Sequence, residues 1–494
     1  MKKTTIYLIG FLSLTIGSFL SCNHDAFLEE TPLSLLAPPS FPSTAKDADL
    51  ILGGISSRLC HSDFANRSLY MITELSSDET VIRLTSGDRF EIDQFNYTLT
   101  NQYVEDVYGV CYQIINQCNL LIKYLPKNEP WAAQYIGSAK FYRAFMYSYL
   151  VRLWGSSIIV KEPTEVISNS AVVVRSPEAE VFNFIVEDLI DAEKVLPKLW
   201  TATPNQTDDG RPTLGAAKIL LAEMYLTMAG FPVNDKSKWA LAKTKAQEVI
   251  DLSVYQLMPN YASNFLIANQ NNPEHILSFQ FDEANGMTSV QGRPAGTGVK
   301  SAGFYFWQAQ PSFMSWFDPK DERYLGTFLL TLDGIAYTKF SYNTKYPATP
   351  AMTKWQDFGR ANIDDNNKRT KLHIPIFRIS EAYLIVAEAE NELNGATTTA
   401  YNAINALRNR AKAPIVPSGS TQDIFRETVQ KEWTLELAFE MKRRFNLLRW
   451  GTIDKVMGAD ERAKANYAPY KKYFNIPQSE FDRGLDPSLQ TPGY

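Results

Sequence analysis

The chain has 494 residues, of which 45% are hydrophobic, 13% aromatic and 21% charged, with a formal charge of −5. That apolar fraction excludes a mostly disordered chain, and 49 Lys and Arg against 54 Asp and Glu, with no basic block, exclude a general nucleic-acid binder. Four His and four Cys leave little for a transition-metal site; the unusual quantity is the aromatic content, 28 Phe, 25 Tyr and 9 Trp.

The first residues read as an export signal. Lys2 and Lys3 are followed by an apolar run from Ile6 to Leu20, too short to span a bilayer, that ends at Ser21-Cys22. Leu20 and Ser21 suit cleavage before Cys22, with Phe19 where Leu is usual, so Cys22 is expected to be the acylated residue of a lipoprotein. Removing Lys2 and Lys3 takes the formal charge from −5 to −7. Of the remaining Cys60, Cys111 and Cys118, at least one is unpaired. Cys111 and Cys118 stand about 10 Å apart on one predicted helix, too far for a disulfide. Residues after the lipidation site carry Pro32, Pro38, Pro39 and Pro42, the composition of a tether.

The body that follows reads as mainly α. Val107, Val110, Cys111, Ile114, Cys118, Leu121 and Ile122 stripe a helix over 103–125, closed by Pro126. Further helices are predicted over 131–154 (stopped by Gly155), from Ser176-Pro177 to near Pro197, over 213–229 and over 238–252. Downstream, Ala382, Ile385, Val386, Ala389 and Leu393 stripe a helix ended by Gly395, with a partner over 401–411 and one long helix over 422–449. Short amphipathic pairs packed on Ala and Tyr resemble tetratricopeptide repeats, degenerate and interrupted. Between about 256 and 376 the helical period fails. Five glycines from Gly286 to Gly303 and β-like stretches at 276–281 and 327–332 predict a loop-rich irregular insertion with short strands.

No nucleotide-binding, zinc-protease, serine-hydrolase or C-x-x-C motif is present, and Asp364-Asp365-Asn366-Asn367 lacks the Gly and final Glu of a calcium loop. It reads as a solvated turn, so no metal, cofactor or catalytic residue is expected. The strongest local signal is Phe304-Tyr305-Phe306-Trp307 with Phe313, Trp316 and Phe317 beside the Gly-rich run. The Phe residues suit a hydrophobic plug. Tyr and Trp pair an apolar face with a polar edge, which matches the C–H face and hydroxyl rim of a pyranose, so Tyr305, Trp307 and Trp316 are candidate ligand contacts, with Trp355 behind them. A second candidate stretch carries Asp78, Arg83, Asp88 and Arg89, charged groups that suit vicinal hydroxyls, in what otherwise reads as a solvated surface loop.

Four ordered segments then carry a family resemblance. Arg378-Ile-Ser-Glu-Ala-Tyr-Leu-Ile-Val-Ala-Glu-Ala-Glu390, the helix Ala403-Ile-Asn-Ala-Leu-Arg-Asn-Arg-Ala411, Glu432 to Gly451 (E-W-T-L-E-L-A-F-E-M-K-R-R-F-N-L-L-R-W-G) and Ile476-Pro477-Gln478-Ser479-Glu480 with Pro492-Gly493-Tyr494 resemble the SusD/RagB family of Bacteroidetes outer-membrane lipoproteins. Trp433, Met441 and Asn446 stand where that family has Arg, Gly and Asp, Thr491 where it has Asn, and Tyr108 where Trp is common. Phe27-Leu-Glu-Glu-Thr-Pro32 and Tyr112-x-x-Ile115 with Asn119 agree with its N-terminal half. The resemblance implies a signal peptide over 1–21, a lipidated tether over 22–45 and a single SusD-like domain over 46–494 built on four tetratricopeptide-like pairs. It implies a cell-surface lipoprotein of the outer membrane that binds an oligosaccharide and delivers it to a SusC-like TonB-dependent transporter, without catalysis. Its ligand loops vary, so no ligand residue carries over. A receptor for peptides or another nutrient, and a scaffold that only braces the transporter, remain the alternatives.

Overall fold

The computed structural model describes residues 41–82, 86–164, 173–200, 209–281, 307–332, 335–336, 350–355 and 372–494. Contacts group the chain into Met1–Pro42 and Ser43–Tyr494, and the elements below belong to the second group. In chain order, α1 (Ala45–Leu59), α2 (Ser68–Glu74), strand β1 (Thr80–Ile82) and α3 (Asp88–Asp93) lead into five longer helices. These are α4 (Gln102–Tyr124), α5 (Ala132–Trp154), α6 (Glu178–Val195), α7 (Leu214–Ala229) and α8 (Lys238–Asp251). A run of short elements follows: β2 (His275–Phe279), β3 (Trp307–Ala309), α9 (Pro311–Met314), α10 (Glu322–Thr327), β4 (Phe328–Leu329), β5 (Thr331–Leu332), β6 (Ile335–Ala336), β7 (Ala351–Met352) and β8 (Ile374–Arg378). Helices return with α11 (Ile379–Asn394), α12 (Thr398–Arg410), α13 (Gln422–Glu436), α14 (Arg443–Arg449), α15 (Ile453–Ala459) and α16 (Gln478–Asp482).

The helical frame follows from the apolar stripes. In α4 the side chain of Asn101 caps the Tyr103 N–H, and Val107, Val110, Cys111, Ile114, Cys118 and Leu121 are all buried. From Gly137 to Trp154 helix α5 is buried on every face except at Lys140, and α7 is buried from Gly215 to its end at Ala229, so these two form the centre of the body. Each helix packs on the next from α4 through α8, and α8 then packs on α11, which packs on α12 and α13. The tetratricopeptide-like stacking therefore runs across the insertion as if 252–378 were spliced into one inter-helix loop. Antiparallel pairing of β2 with β8 closes the base of that insertion. The strand predicted over 276–281 is β2; the stretch 327–332 is divided between the end of α10 and strands β4 and β5. The turn at 364–367 lies outside the described residues.

Cys60, Cys111 and Cys118 are all buried; Cys60 donates its Sγ–H to the Gln280 carbonyl at 3.3 Å, while burial pushes the Cys111 and Cys118 thiols up, so those two behave as small apolar groups. Among the described residues no helix is long and apolar enough to cross a membrane, and no cluster of His, Cys, Asp or Glu is arranged to hold a metal ion.

The last long helix is not one helix. The predicted span 422–449 breaks after Glu436 and resumes at Arg443, with Phe439 and Met441 in the left-handed region at φ 60° and 61°. The break is stabilised by tertiary partners that replace the lost helical hydrogen bonds. The N–H groups of Phe439 and Met441 donate to the buried carboxyls of Glu79 (2.9 Å) and Glu74 (2.6 Å). The Glu436 carbonyl accepts from Tyr261 (2.9 Å) and Arg378 (3.0 Å), and the Ala438 carbonyl from Lys354 (2.7 Å).

Around this turn lies a buried ionic network. Arg378 pairs with Glu274, Glu436 and Glu440; Arg323 with Asp321, Glu432 and Glu436; Arg410 with Glu274 and Glu436; Lys354 with Glu440; and Arg408 with Glu432. Cations and anions in this network are equal in number, so it buries no net charge. The network ties α10, the 353–355 turn and β8 from the insertion to α12, α13 and the 437–442 turn of the helical frame.

A close approach joins the two ends of the frame. The Phe231 N–H donates to the Arg449 carbonyl at 2.8 Å, and a Cβ added at Gly230 would lie 2.3 Å from that oxygen. Gly230→Ala is therefore expected to destabilise the fold by about 1–3 kcal/mol through overpacking, read as a lower urea midpoint at an unchanged denaturant slope.

Candidate functional site

The break in the last helix determines where α14 starts, and Arg443 is its first residue. Its Nε and Nη2 donate to the two carboxylate oxygens of Asp78 at 2.7 and 2.8 Å, and its Nη1 donates to the Thr434 hydroxyl at 2.9 Å. Burial disfavours the guanidinium charge, but the Asp78 pair outweighs it and holds the Arg443 pKa above its usual value. The fixed guanidinium lies 5.0 Å from the ring centre of Trp316 and 6.0 Å from that of Trp450, within cation–π range of both.

Each indole is itself held. Trp450 donates its ring N–H to Glu388 at 2.9 Å, and Arg449, paired with the same carboxylate, packs on the ring at 4.9 Å. Trp316 follows the short helix α9, which Pro311 starts and Phe313 anchors against Phe317, Phe328 and Phe439. The aromatic plug expected of the Phe residues is present for Phe313 and Phe317, with Phe304 and Phe306 outside the described residues, and Trp316 projects from it with 37% of its surface exposed. Trp316, Trp450, Arg443, Gln430, Lys431 and Lys455 surround an open cleft of about 510 Å³, within the size range of small-ligand sites. An indole wall with hydrogen-bonding groups on its rim can stack one face of a ring and bond its edge. Among the residues lining the cleft the only carboxylate is Glu427.

The two stretches singled out in the sequence are brought together. Strand β1 pairs antiparallel with β3, Thr80 opposite Ala309, Val81 opposite Gln308 and Ile82 opposite Trp307. Beyond the ladder the Gln310 N–H donates to the Glu79 carbonyl at 2.8 Å. The expectation of a solvated loop fails for 79–82, which are buried because they form this strand. Asp78, just before β1, reaches the cleft through Arg443. Asp88 opens α3 and accepts the Gln102 N–H at 3.1 Å, while Arg89 and Arg67 each lie 5.5 Å from the ring centre of Tyr103. Trp307 occupies the β3 position opposite Ile82, and Trp355 ends the 3₁₀ turn that carries Lys354. Tyr305 and Arg83 lie outside the described residues, as does Cys22. Sequence reasoning missed Trp450, Arg443 and Gln430. The first two lie in the Glu432–Gly451 segment, where the sequence pointed only to the family resemblance.

Comparison with known proteins bears on this arrangement. Residues 253–485 match the model of the SusD family, and residues 44–226 match a SusD-like model described as starch-binding and associating with the outer membrane. The chain belongs to the SusD/RagB family. This SusD-family chain is 28% identical over 526 residues to SusD-like protein P2 of Formosa agariphila, with 100% of both chains covered. It is 22% identical to the starch-binding protein SusD of Bacteroides thetaiotaomicron, covering 87% of this chain and 85% of that one. Among solved structures, a SusD homolog from B. thetaiotaomicron superposes with a TM-score of 0.77 at 24% identity, covering 91% of this chain and 97% of its own. Surface glycan-binding protein A from the same organism, in complex with laminarihexaose, gives 0.74 at 19%, covering 91% and 99%. These superpositions establish a shared SusD fold.

Proposed function

We propose that this chain is a glycan-binding lipoprotein of the outer membrane that captures oligosaccharides at the cell surface and passes them to a SusC-like TonB-dependent transporter. The observation that carries the binding step is the Trp316–Arg443–Trp450 array: two held indoles on one open cleft with a polar rim, the pairing of surfaces that a pyranose presents. The names of its relatives, a starch-binding protein and surface glycan-binding proteins, support the ligand class. In this reading residues 1–21 are the signal peptide, Cys22 carries the lipid, 22–45 tether it and 46–494 form one body. The protein binds without catalysing; its work is capture and release.

The test is a binding screen of the purified protein against soluble plant, host and microbial glycans, repeated on Trp316→Ala and Trp450→Ala. Removing one stacking ring is expected to weaken binding about 2- to 12-fold, from about 0.5–1.5 kcal/mol per aromatic contact. Binding of peptides in preference to every glycan would overturn the sugar assignment.

A further inference from the structure

We propose that the Trp316–Trp450 cleft selects sugars that carry an anionic substituent, a carboxylate or a sulfate ester. The proposal rests on the glycan-binding reading above and narrows its ligand class. The charged groups lining the cleft are Arg443, Lys431 and Lys455 against Glu427 alone. Arg443 is spent on Asp78, through two hydrogen bonds that occupy both carboxylate oxygens. Two ammonium groups against one carboxylate remain at the opening, a local cationic excess on a chain whose formal charge is −5. Among the described residues neither Lys431 nor Lys455 joins an ion pair, a state they share with other exposed lysines such as Lys127 and Lys198; what sets the two apart is that they line one cleft. The two come from different elements, Lys431 from α13 and Lys455 from α15, yet face the same cleft, so their convergence is a product of the fold and not of a local basic run.

Both lysines are exposed, which sets what they can do. An exposed ammonium does little for a neutral ring, since hydroxyls compete poorly with water for it. Toward an anionic group stacked on the indoles it adds attraction that salt screens. The division of labour is then direct: Trp316 and Trp450 take the ring face, Gln430 the hydroxyl edge, and Lys431 and Lys455 the charge.

The experiment titrates the purified full chain with three probes: an oligogalacturonate, a sulfated galactan oligosaccharide and a neutral maltohexaose. The expected result is about tenfold tighter binding of a charged probe than of maltohexaose in 50 mM salt, a preference lost in 0.5 M salt and in the Lys431→Gln/Lys455→Gln variant. Whichever charged probe binds identifies carboxylate or sulfate as the group recognised. Maltohexaose bound as tightly as both charged probes, with no effect of the double substitution, overturns the inference and leaves the glycan reading standing. Failure to bind these three and every glycan of the wider screen overturns that reading and this inference with it. Thermal melting of the variant matching the parent confirms that a lost preference is not lost folding.

Discussion

Replacing Arg378 by Met is expected to lower the free energy of unfolding by about 3–5 kcal/mol, because the change leaves buried carboxylates facing one another without their common cation. Arg378 is fully buried and donates to Glu274 (2.5 Å), Glu436 (3.0 Å) and Glu440 (2.8 Å from each of Nε and Nη2). It also takes the Glu436 carbonyl at the point where the last helix breaks. The residue thus neutralises three acids from two parts of the chain and holds the turn that aims Arg443 at the cleft. Urea unfolding measures the loss. As the contrast, removing the exposed Lys464–Glu461 pair is expected to change stability by less than about 1 kcal/mol. A loss below 1 kcal/mol in R378M would contradict the network's role.

Stability is expected to peak near pH 4.5 and to fall on either side of it, and two sets of buried carboxyls produce the two flanks. Burial alone would raise Glu436, but Arg410, Arg378 and Arg323 outweigh it and hold its pKa far below the usual carboxylate range; Arg378 and Lys354 likewise lower Glu440. A depressed pKa gives stabilisation that is complete above the unfolded value, 4.5, and is lost as the pH falls below it. Glu74 and Glu381 behave oppositely. Burial pushes each up to about 7, with the Met441 N–H and Lys442, respectively, opposing it only in part. In that pair of sites the folded state holds protons the unfolded chain has released, so stability falls as pH rises from 4.5 through 7. Thermal melts across pH 3–9 check the shape. Glu74→Gln is expected to make the neutral flank shallower, leaving the part that Glu381 contributes, and to leave the acid flank unchanged; a neutral flank of undiminished depth in this variant would assign it elsewhere.

How much of this was legible in the sequence depended on whether the determining partner was local. The stripes over 103–125 and 382–393 found their helices to within a turn because burial on one face is written at helical spacing. The long helix over 422–449 was misread because its break is stabilised by Glu74 and Glu79, more than 350 residues away, and by the Lys354 and Arg378 side chains. One local clue existed: Met441 stands where the related family has Gly, and its φ of 61° is a conformation that glycine adopts freely. Trp316 was legible as an amphipathic ring beside a glycine-rich run. Trp450 was not, because nothing in an Arg-Trp-Gly sequence distinguishes an indole that faces a cleft from one that fills a core. The pairing of β1 with β3, which unites the Asp78 stretch with the aromatic one, is a contact between segments over 200 residues apart and carries no local signature.

The most direct test of the account is a titration of the purified protein and of the Trp316→Ala/Trp450→Ala variant with the glycan that binds best in the screen. Measurable affinity is expected in the parent and a loss of about 5- to 150-fold in the double variant, with circular dichroism showing that the variant is folded at the titration temperature. Equal affinity in both proteins would place the ligand elsewhere on the body and contradict the cleft as the binding site.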